Sequence, residues 1–417
     1  MELPGTGLDA DDVIAELNAV RVDDVDWAAG RTFGLVFDGG PGVHAVAERA
    51  GRLFLHENAL NLAAFPSLAR VQSDVVGWTA GLFHAPPSAA GFLTSGGTES
   101  IQCAVLAARE RGRLERGVTA PEMVVATSAH AAFHKSAHLF GLTVRSVPVR
   151  DDWTADVDAM AAAVSDRTVL VVGSAPQYPQ GVVDDIPALA ALAAGVDANC
   201  HVDACMGGFV LPFAERLGRR VPPWDFRVDG VDSISADAHK LGYAPKGASV
   251  IVYRTKERRR YQTFRFDGWL GGLYASPNLQ GTRSGLPMAA AWAVMRHLGL
   301  DGYVELTRRT LATADRMRAA IAAVDGLRVL GDGDFHLVAM ATDTSAADPL
   351  DVFAVGEGLA RRGWYHDRQS PPDSLHATVS NGNVAVIEEW AADLAAVAAD
   401  VRGRAAEDRS TSYATLE

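Results

Sequence analysis

Apolar residues recur at helical spacing over residues 10–20, 43–56 and 66–84, and the Gly-rich segment 30–42 between the first two reads as a loop. Thr94-Ser95-Gly96-Gly97-Thr98-Glu99-Ser100 then opens an apolar helix that runs to about residue 113. Beyond it come short β-branched runs at 123–126, 143–147, 168–173, 200–203, 231–235 and 249–253, each with a helical stretch behind it. Strands alternating with helices predict an α/β chain built on a doubly wound, mostly parallel sheet covered on both faces. In such sheets ligands collect beyond the carboxyl ends of the strands.

From about residue 301 the pattern changes. A long helix over 304–324 precedes runs at 327–330 and 335–340, a helix near 350–362, a further run at 374–379 and a last helix near 384–403. That order predicts a small C-terminal α+β unit. The boundaries expected are an N-terminal arm and loop over 1–60, a large domain over 61–300, the small domain over 301–403 and a polar tail over 404–417, frayed after Arg402.

Composition narrows the class. Hydrophobic residues make up 48% and charged ones 21% of 417 residues, as in globular proteins. A formal charge of -13 argues against general affinity for nucleic acid or anionic membrane. Cys103, Cys200 and Cys205 lack metal-ligand spacing, so no metal is expected and a reducing compartment is. The acidic N-terminus lacks the basic and apolar regions of a signal peptide, and no run reaches the ~18 apolar residues of a membrane span. A soluble cytoplasmic protein with no membrane anchor is expected.

Two apolar runs end in residues that carry chemistry. One is His201-Val202-Asp203-Ala204-Cys205-Met206-Gly207-Gly208; the other is Ser233-Ile234-Ser235-Ala236-Asp237-Ala238-His239-Lys240. A carboxylate and a lysine at neighbouring strand ends are what pyridoxal 5'-phosphate requires. The amine condenses with the cofactor aldehyde, and the carboxylate keeps the pyridine nitrogen protonated so that the ring accepts electrons. Lys240 by position alone is a surface lysine and Asp203 by position alone a helix cap; their company points to the cofactor. Gly96, Gly97 and Thr98 precede a helix whose free N–H groups suit a phosphate, although an ordinary N-cap has the same look.

His130 follows the 123–126 run and should project over the cofactor ring, where a flat imidazole can stack; His134 and His138 belong to the helix beyond. Cys205, two residues past Asp203, should pack against the cofactor without acting as a nucleophile, since nothing beside it activates a thiol. Gly281-Thr282-Arg283-Ser284-Gly285 is a second small-residue loop, suited equally to closing over a phosphate and to joining domains.

At these motifs the chain resembles the group II decarboxylase superfamily of fold type I, the aspartate aminotransferase-like fold of pyridoxal phosphate enzymes. Within it, residues 94–100, 128–133, 201–208, 233–247 and 271–277 resemble the sphingosine-1-phosphate lyase family. The likeness spans about residues 30–379, and Ala175–Gly181 and Pro371-Pro372 also match. It implies an obligate homodimer with shared active sites, the cofactor on Lys240, Asp203 as pyridinium partner and His130 stacked on the ring. Phosphate contacts at Gly97 and Thr98, with Gly281 and Thr282 reaching in from the partner, are implied too, and His239 joins that cofactor set.

The departures concern the substrate. The family grips a substrate phosphate with a tyrosine and a histidine; Phe37 and Asn61 stand there instead, while Lys246 is retained, and Arg283 of the second small-residue loop is expected to face the substrate with them. Losing a hydroxyl and a potential positive charge weakens the hold on a dianion. The expectation is a carbon–carbon lyase acting on a small-molecule amine or amino acid, by retro-aldol cleavage as in the resembled family. The alternative is α-decarboxylation of an L-amino acid, and behind both stands a non-catalytic cofactor-binding protein.

Overall fold

The six β-branched runs form strands, and a seventh that the pattern hid completes one sheet. In a computed structural model that describes residues 2–411, the strands are β1 Ala90–Thr94, β2 Glu122–Ala126, β3 Thr143–Val147, β4 Thr168–Ser174, β5 Asn199–Asp203, β6 Val231–Ala236 and β7 Ser249–Tyr253. Their order is β1-β7-β6-β5-β4-β2-β3. Neighbours from β6 through β3 run parallel; β7 lies antiparallel to both β6 and β1. All residues of β2, β4, β5, β6 and β7 are buried, as expected of strands covered on both faces.

Helix Gly97–Arg116 packs against the sheet behind β1 and stops where Gly117 turns left-handed, its N–H bonded to the Gly112 carbonyl. Arg113 and Arg116 in the last turn complement the helix dipole there. After β7 comes a hairpin, β8 Phe264–Phe266 and β9 Tyr274–Ser276, which the sequence reading leaves as loop. Helix Gly285–Ala322 then crosses from the large unit to the small one and breaks direction at Gly299, φ 57°. It begins well before the predicted start at residue 304.

The small unit is a four-stranded antiparallel sheet ordered β10-β11-β13-β12, with β10 Leu327–Leu330, β11 Leu337–Thr342, β12 Asp367–Gln369 and β13 Ser374–Thr378. Its core gathers Phe33, Phe353, Trp364 and Trp390, so the N-terminal loop is stitched into it. The tail does not fray immediately after Arg402. Ala406 N–H donates to Asp351 at 3.0 Å, Asp408 N–H to Glu357 at 2.9 Å, and Arg409 pairs with Asp351 and Asp373. Among the described residues no helix is long and apolar enough to cross a membrane.

Candidate active site

Strands β5 and β6 are parallel neighbours with Asp203 opposite Ser235, so Asp203 and the segment leading to Lys240 leave the sheet at the same edge. There a cavity of about 380 Å³ opens, lined by Gly96, Gly97, Thr98, His130, Asp203, Cys205, Asp237, His239 and Lys240. These residues from four chain segments thus converge, each at or just past the carboxyl end of a strand.

The floor is the N-terminus of helix Gly97–Arg116. Glu99 reaches back to accept the Ser95 N–H at 2.6 Å and also takes the Leu279 N–H at 3.1 Å, which fixes the turn and leaves the first helical N–H groups facing the cavity. Gly97 is required by close approach. A Cβ there would meet both Asp237 carboxyl oxygens at 2.8 and 2.9 Å and Cys205 Sγ at 2.8 Å.

Asp203 accepts the Cys205 N–H at 3.0 Å and the Ser235 hydroxyl at 3.2 Å. Ser235 also lies 3.1 Å from His201 Nε2, whose Nδ1 meets Ser233 Oγ at 2.8 Å, so the carboxylate is oriented by a buried polar chain. His130 Nδ1 accepts the Ala132 N–H at 3.1 Å, which orients its ring at the cavity wall. Burial lowers the His130 pKa against the pull of Asp203, so the ring is neutral at physiological pH. Burial pushes the Cys205 thiol well up, and Asp203 adds to it, so the sulfur is an inert packing group.

Lys240 Nζ lies 3.0 Å from Asp237 Oδ2, and Asp237 also accepts the Ser249 hydroxyl at 2.6 Å. Burial would raise the Asp237 pKa, but Lys240, His239 and Ser249 outweigh it and the carboxyl stays ionised. His239 is lowered by burial, with Asp237 opposing.

A second, mostly apolar cavity of about 550 Å³ adjoins at His239 and is walled by Trp27, Phe37, Tyr243 and Lys246. Lys246 Nζ sits 4.7 Å from the Phe37 ring centroid and donates to the His239 carbonyl at 3.4 Å. Protein packed round this ammonium, with Lys240 nearby, lowers its pKa to about 8, although the side chain stays open to solvent on one side.

Other expected residues lie apart. Asn61 is exposed, and its side chain accepts the Ala63 N–H at 3.0 Å, capping its own turn. Gly281 and Thr282 are exposed and do not line the Lys240 cavity. Arg283 is a correction. It is buried and spends its guanidinium on Gln72 Oε1 at 2.8 Å and on the carbonyls of Leu93 and Ala59, so it fastens the loop and is not presented to substrate.

Two groups escaped the sequence reading. Asp237 reads as a strand-end polar residue until Ser249 from β7 is brought beside it. Tyr178 lines the Lys240 cavity and donates its hydroxyl to Asp367 of β12 at 2.8 Å, a partner nearly two hundred residues away. The Ala175–Gly181 motif was the available signal for it.

Pyridoxal 5'-phosphate fits this donor set. A helix N-terminus whose Gly97 admits no Cβ suits its phosphate, buried Asp203 a protonated ring nitrogen, and Lys240 its aldehyde. Among the described residues no cluster of His, Cys, Asp or Glu could hold a metal.

Comparison with known proteins agrees. Residues 37–341 match the pyridoxal-dependent decarboxylase conserved domain. The chain is 40% identical to sphingosine-1-phosphate lyase of Oryza sativa over 94% of its own length and 73% of the rice protein. It is 31% identical to a probable L-aspartate decarboxylase of Pyrococcus furiosus, over 87% of this chain and 96% of that one. The solved sphingosine-1-phosphate lyase of Burkholderia pseudomallei superposes with a TM-score of 0.91 at 40% identity, over 95% of this chain and 92% of that one.

Proposed function

This chain belongs to the pyridoxal-dependent decarboxylase family, and we propose that it cleaves the Cα–Cβ bond of a β-hydroxy amine, releasing an aldehyde. It is a pyridoxal 5'-phosphate-dependent lyase. The observation that carries the retro-aldol reading is that Lys240, Asp203 and His130 share one cavity in a chain so similar to sphingosine-1-phosphate lyases.

Bound there, the cofactor supplies an aldehyde for an amine and an electron sink for the bond that breaks. The chain does the rest. Helix N–H groups at Gly97 and Thr98 would hold the phosphate, and Asp203 would keep the ring nitrogen protonated. His130 offers a neutral flat face. Tyr178, which donates its hydroxyl to Asp367, presents an oxygen able to accept a hydrogen bond from a substrate hydroxyl and orient it. Lys246 faces an anionic substituent from the adjoining cavity.

Phe37 and Asn61 favour a second reading. With a phenyl ring against Lys246 and Asn61 folded onto its own turn, a dianionic headgroup is held by fewer donors, which suits a smaller substrate and α-decarboxylation. Incubation with phosphorylated amino alcohols and with free amino acids, assayed for aldehyde and for carbon dioxide, separates the two. Carbon dioxide without aldehyde would establish the second.

The same reading makes the enzyme a cytoplasmic homodimer with shared sites. Phe264, Phe266, Trp269, Leu270 and Leu273 are exposed together on the hairpin that leads to exposed Gly281 and Thr282, an apolar patch that calls for cover. Three buried free cysteines suit a reducing compartment.

A further inference from the structure

An ammonium is not a nucleophile, and Lys240 sits where it is held as one. Its side chain is 18% exposed, and Nζ lies 3.0 Å from Oδ2 of Asp237, whose side chain is 2% exposed. The carboxylate cannot swing away. Ser249 of β7 holds its other oxygen at 2.6 Å, and the Gly97 backbone closes in from the opposite side.

We propose that Asp237 is a positioning residue for cofactor capture: it holds Lys240 as an ammonium in contact, so that Nζ must give up a proton to solvent before it attacks. The inference rests on the reading that Lys240 carries the cofactor. In the step, Nζ releases one proton to water and the freed amine bonds to the aldehyde carbon. The carbonyl oxygen then collects a second Nζ proton and one from solvent. It leaves as water, a carbon–nitrogen double bond remains, and Asp237 stays a carboxylate throughout.

The groups facing Lys240 support this division of roles. His130, His239 and His336 are kept neutral by burial, the last with its pKa lowered to about 3, and burial keeps the Cys205 thiol protonated. Lys246 repels Lys240 across the site. Asp237 supplies the opposite charge in contact.

The test is a pH series of reductive methylation on the full-length chain purified without cofactor, read lysine by lysine by peptide mass spectrometry. Lys240 should react with a half-point above that of Lys246. In Asp237→Asn the Lys240 half-point should fall by about 1–3 pH units, the range for losing an opposite charge at contact. Lys135 should not move, and Asp237→Glu should restore the original value. The pH midpoint for covalent capture of added pyridoxal 5'-phosphate, followed by absorbance, should fall in step. A Lys240 half-point at or below that of Lys246 overturns the proposal on the unaltered protein alone, even if the Asn variant fails to fold. So does an unmoved half-point in a folded Asp237→Asn. Borohydride trapping of the cofactor on a lysine other than Lys240 would instead overturn the reading on which the proposal rests.

Discussion

Lys246 Nζ lies 4.7 Å over the face of the Phe37 ring, so the cation that faces the second cavity is held by an aromatic quadrupole where a hydroxyl would offer a hydrogen bond. Such a contact is worth roughly 0.5–2 kcal/mol depending on how far the cation is desolvated. It fixes the position of the charge, but it also places an apolar surface beside any anion that Lys246 binds.

The lowered pKa of Lys246, about 8, has a readable consequence. Below that value the amine is charged and attracts an anionic substituent; above it the charge is lost. The KM for a phosphorylated amine should therefore rise as pH passes through 8, with kcat little changed at first. Lys246→Met should raise KM at neutral pH and flatten that dependence. A KM profile that keeps its rise near pH 8 in the variant would assign the titration to another group.

Lys240→Ala should abolish turnover and covalent cofactor attachment together. Lys246 is the neighbouring amine, but it is turned toward Phe37 and the His239 carbonyl. Intact-mass measurement after borohydride reduction checks this, and a cofactor adduct on Lys246 would show the assignment to be wrong.

Asp203→Asn should keep the cofactor and lose at least about a hundredfold in kcat, since one pKa unit of lost charge stabilisation is about 1.4 kcal/mol and two or more are at stake. Packing is nearly unchanged, because the amide oxygen can still accept from Ser235 and from the Cys205 N–H. Activity within a few-fold of the original would place the pyridinium partner elsewhere.

What the sequence made legible follows from locality. The runs ending at Asp203 and at Ala236 are buried throughout and carry β-branched residues at Val202, Val231 and Ile234, enough to mark them as strands between turn signals. Strand β1 was hidden because Gly91 interrupts it. A Cβ there would collide with the Ile251 carbonyl of β7, so the residue that weakens the strand signal is the one the pairing needs. The hairpin β8–β9 has strands of three residues with exposed aromatics, a pattern that reads as loop without a partner surface. Asp237, Tyr178 and the true place of Arg283 each depend on groups far away in sequence, Ser249, Asp367 and the Ala59 and Leu93 carbonyls, which no local spacing reveals.

The exposed hairpin yields a prediction about assembly. Replacing Leu270 and Leu273 with aspartate should convert dimer to monomer in sedimentation and weaken cofactor retention, if Gly281 and Thr282 serve the neighbouring site. The substituted side chains are exposed in the single chain, so folding of the subunit should survive. Full activity in a monomer at working concentration would refute shared sites.

Phe37 walls the second cavity and Asn61 lies exposed outside it, and the proposed weak hold on a phosphorylated substrate is tested by changing the two together. Phe37→Tyr adds one hydroxyl at the ring edge beside Lys246 without disturbing the cation's seat on the ring face. Asn61→His frees that position from capping its own turn and adds a potential positive charge. A neutral and a charge-assisted hydrogen bond together are worth on the order of 2–4 kcal/mol. The double variant should therefore raise kcat/KM on phosphorylated amines by about one and a half to three decades while leaving non-phosphorylated substrates nearly unaffected. The unaltered enzyme should cleave sphingosine-1-phosphate weakly, which aldehyde release under matched conditions would measure. Efficient cleavage by the unaltered protein, with no gain in the double variant, would mean that Lys246 and backbone donors suffice to bind the phosphate and that the aromatic ring costs the site nothing.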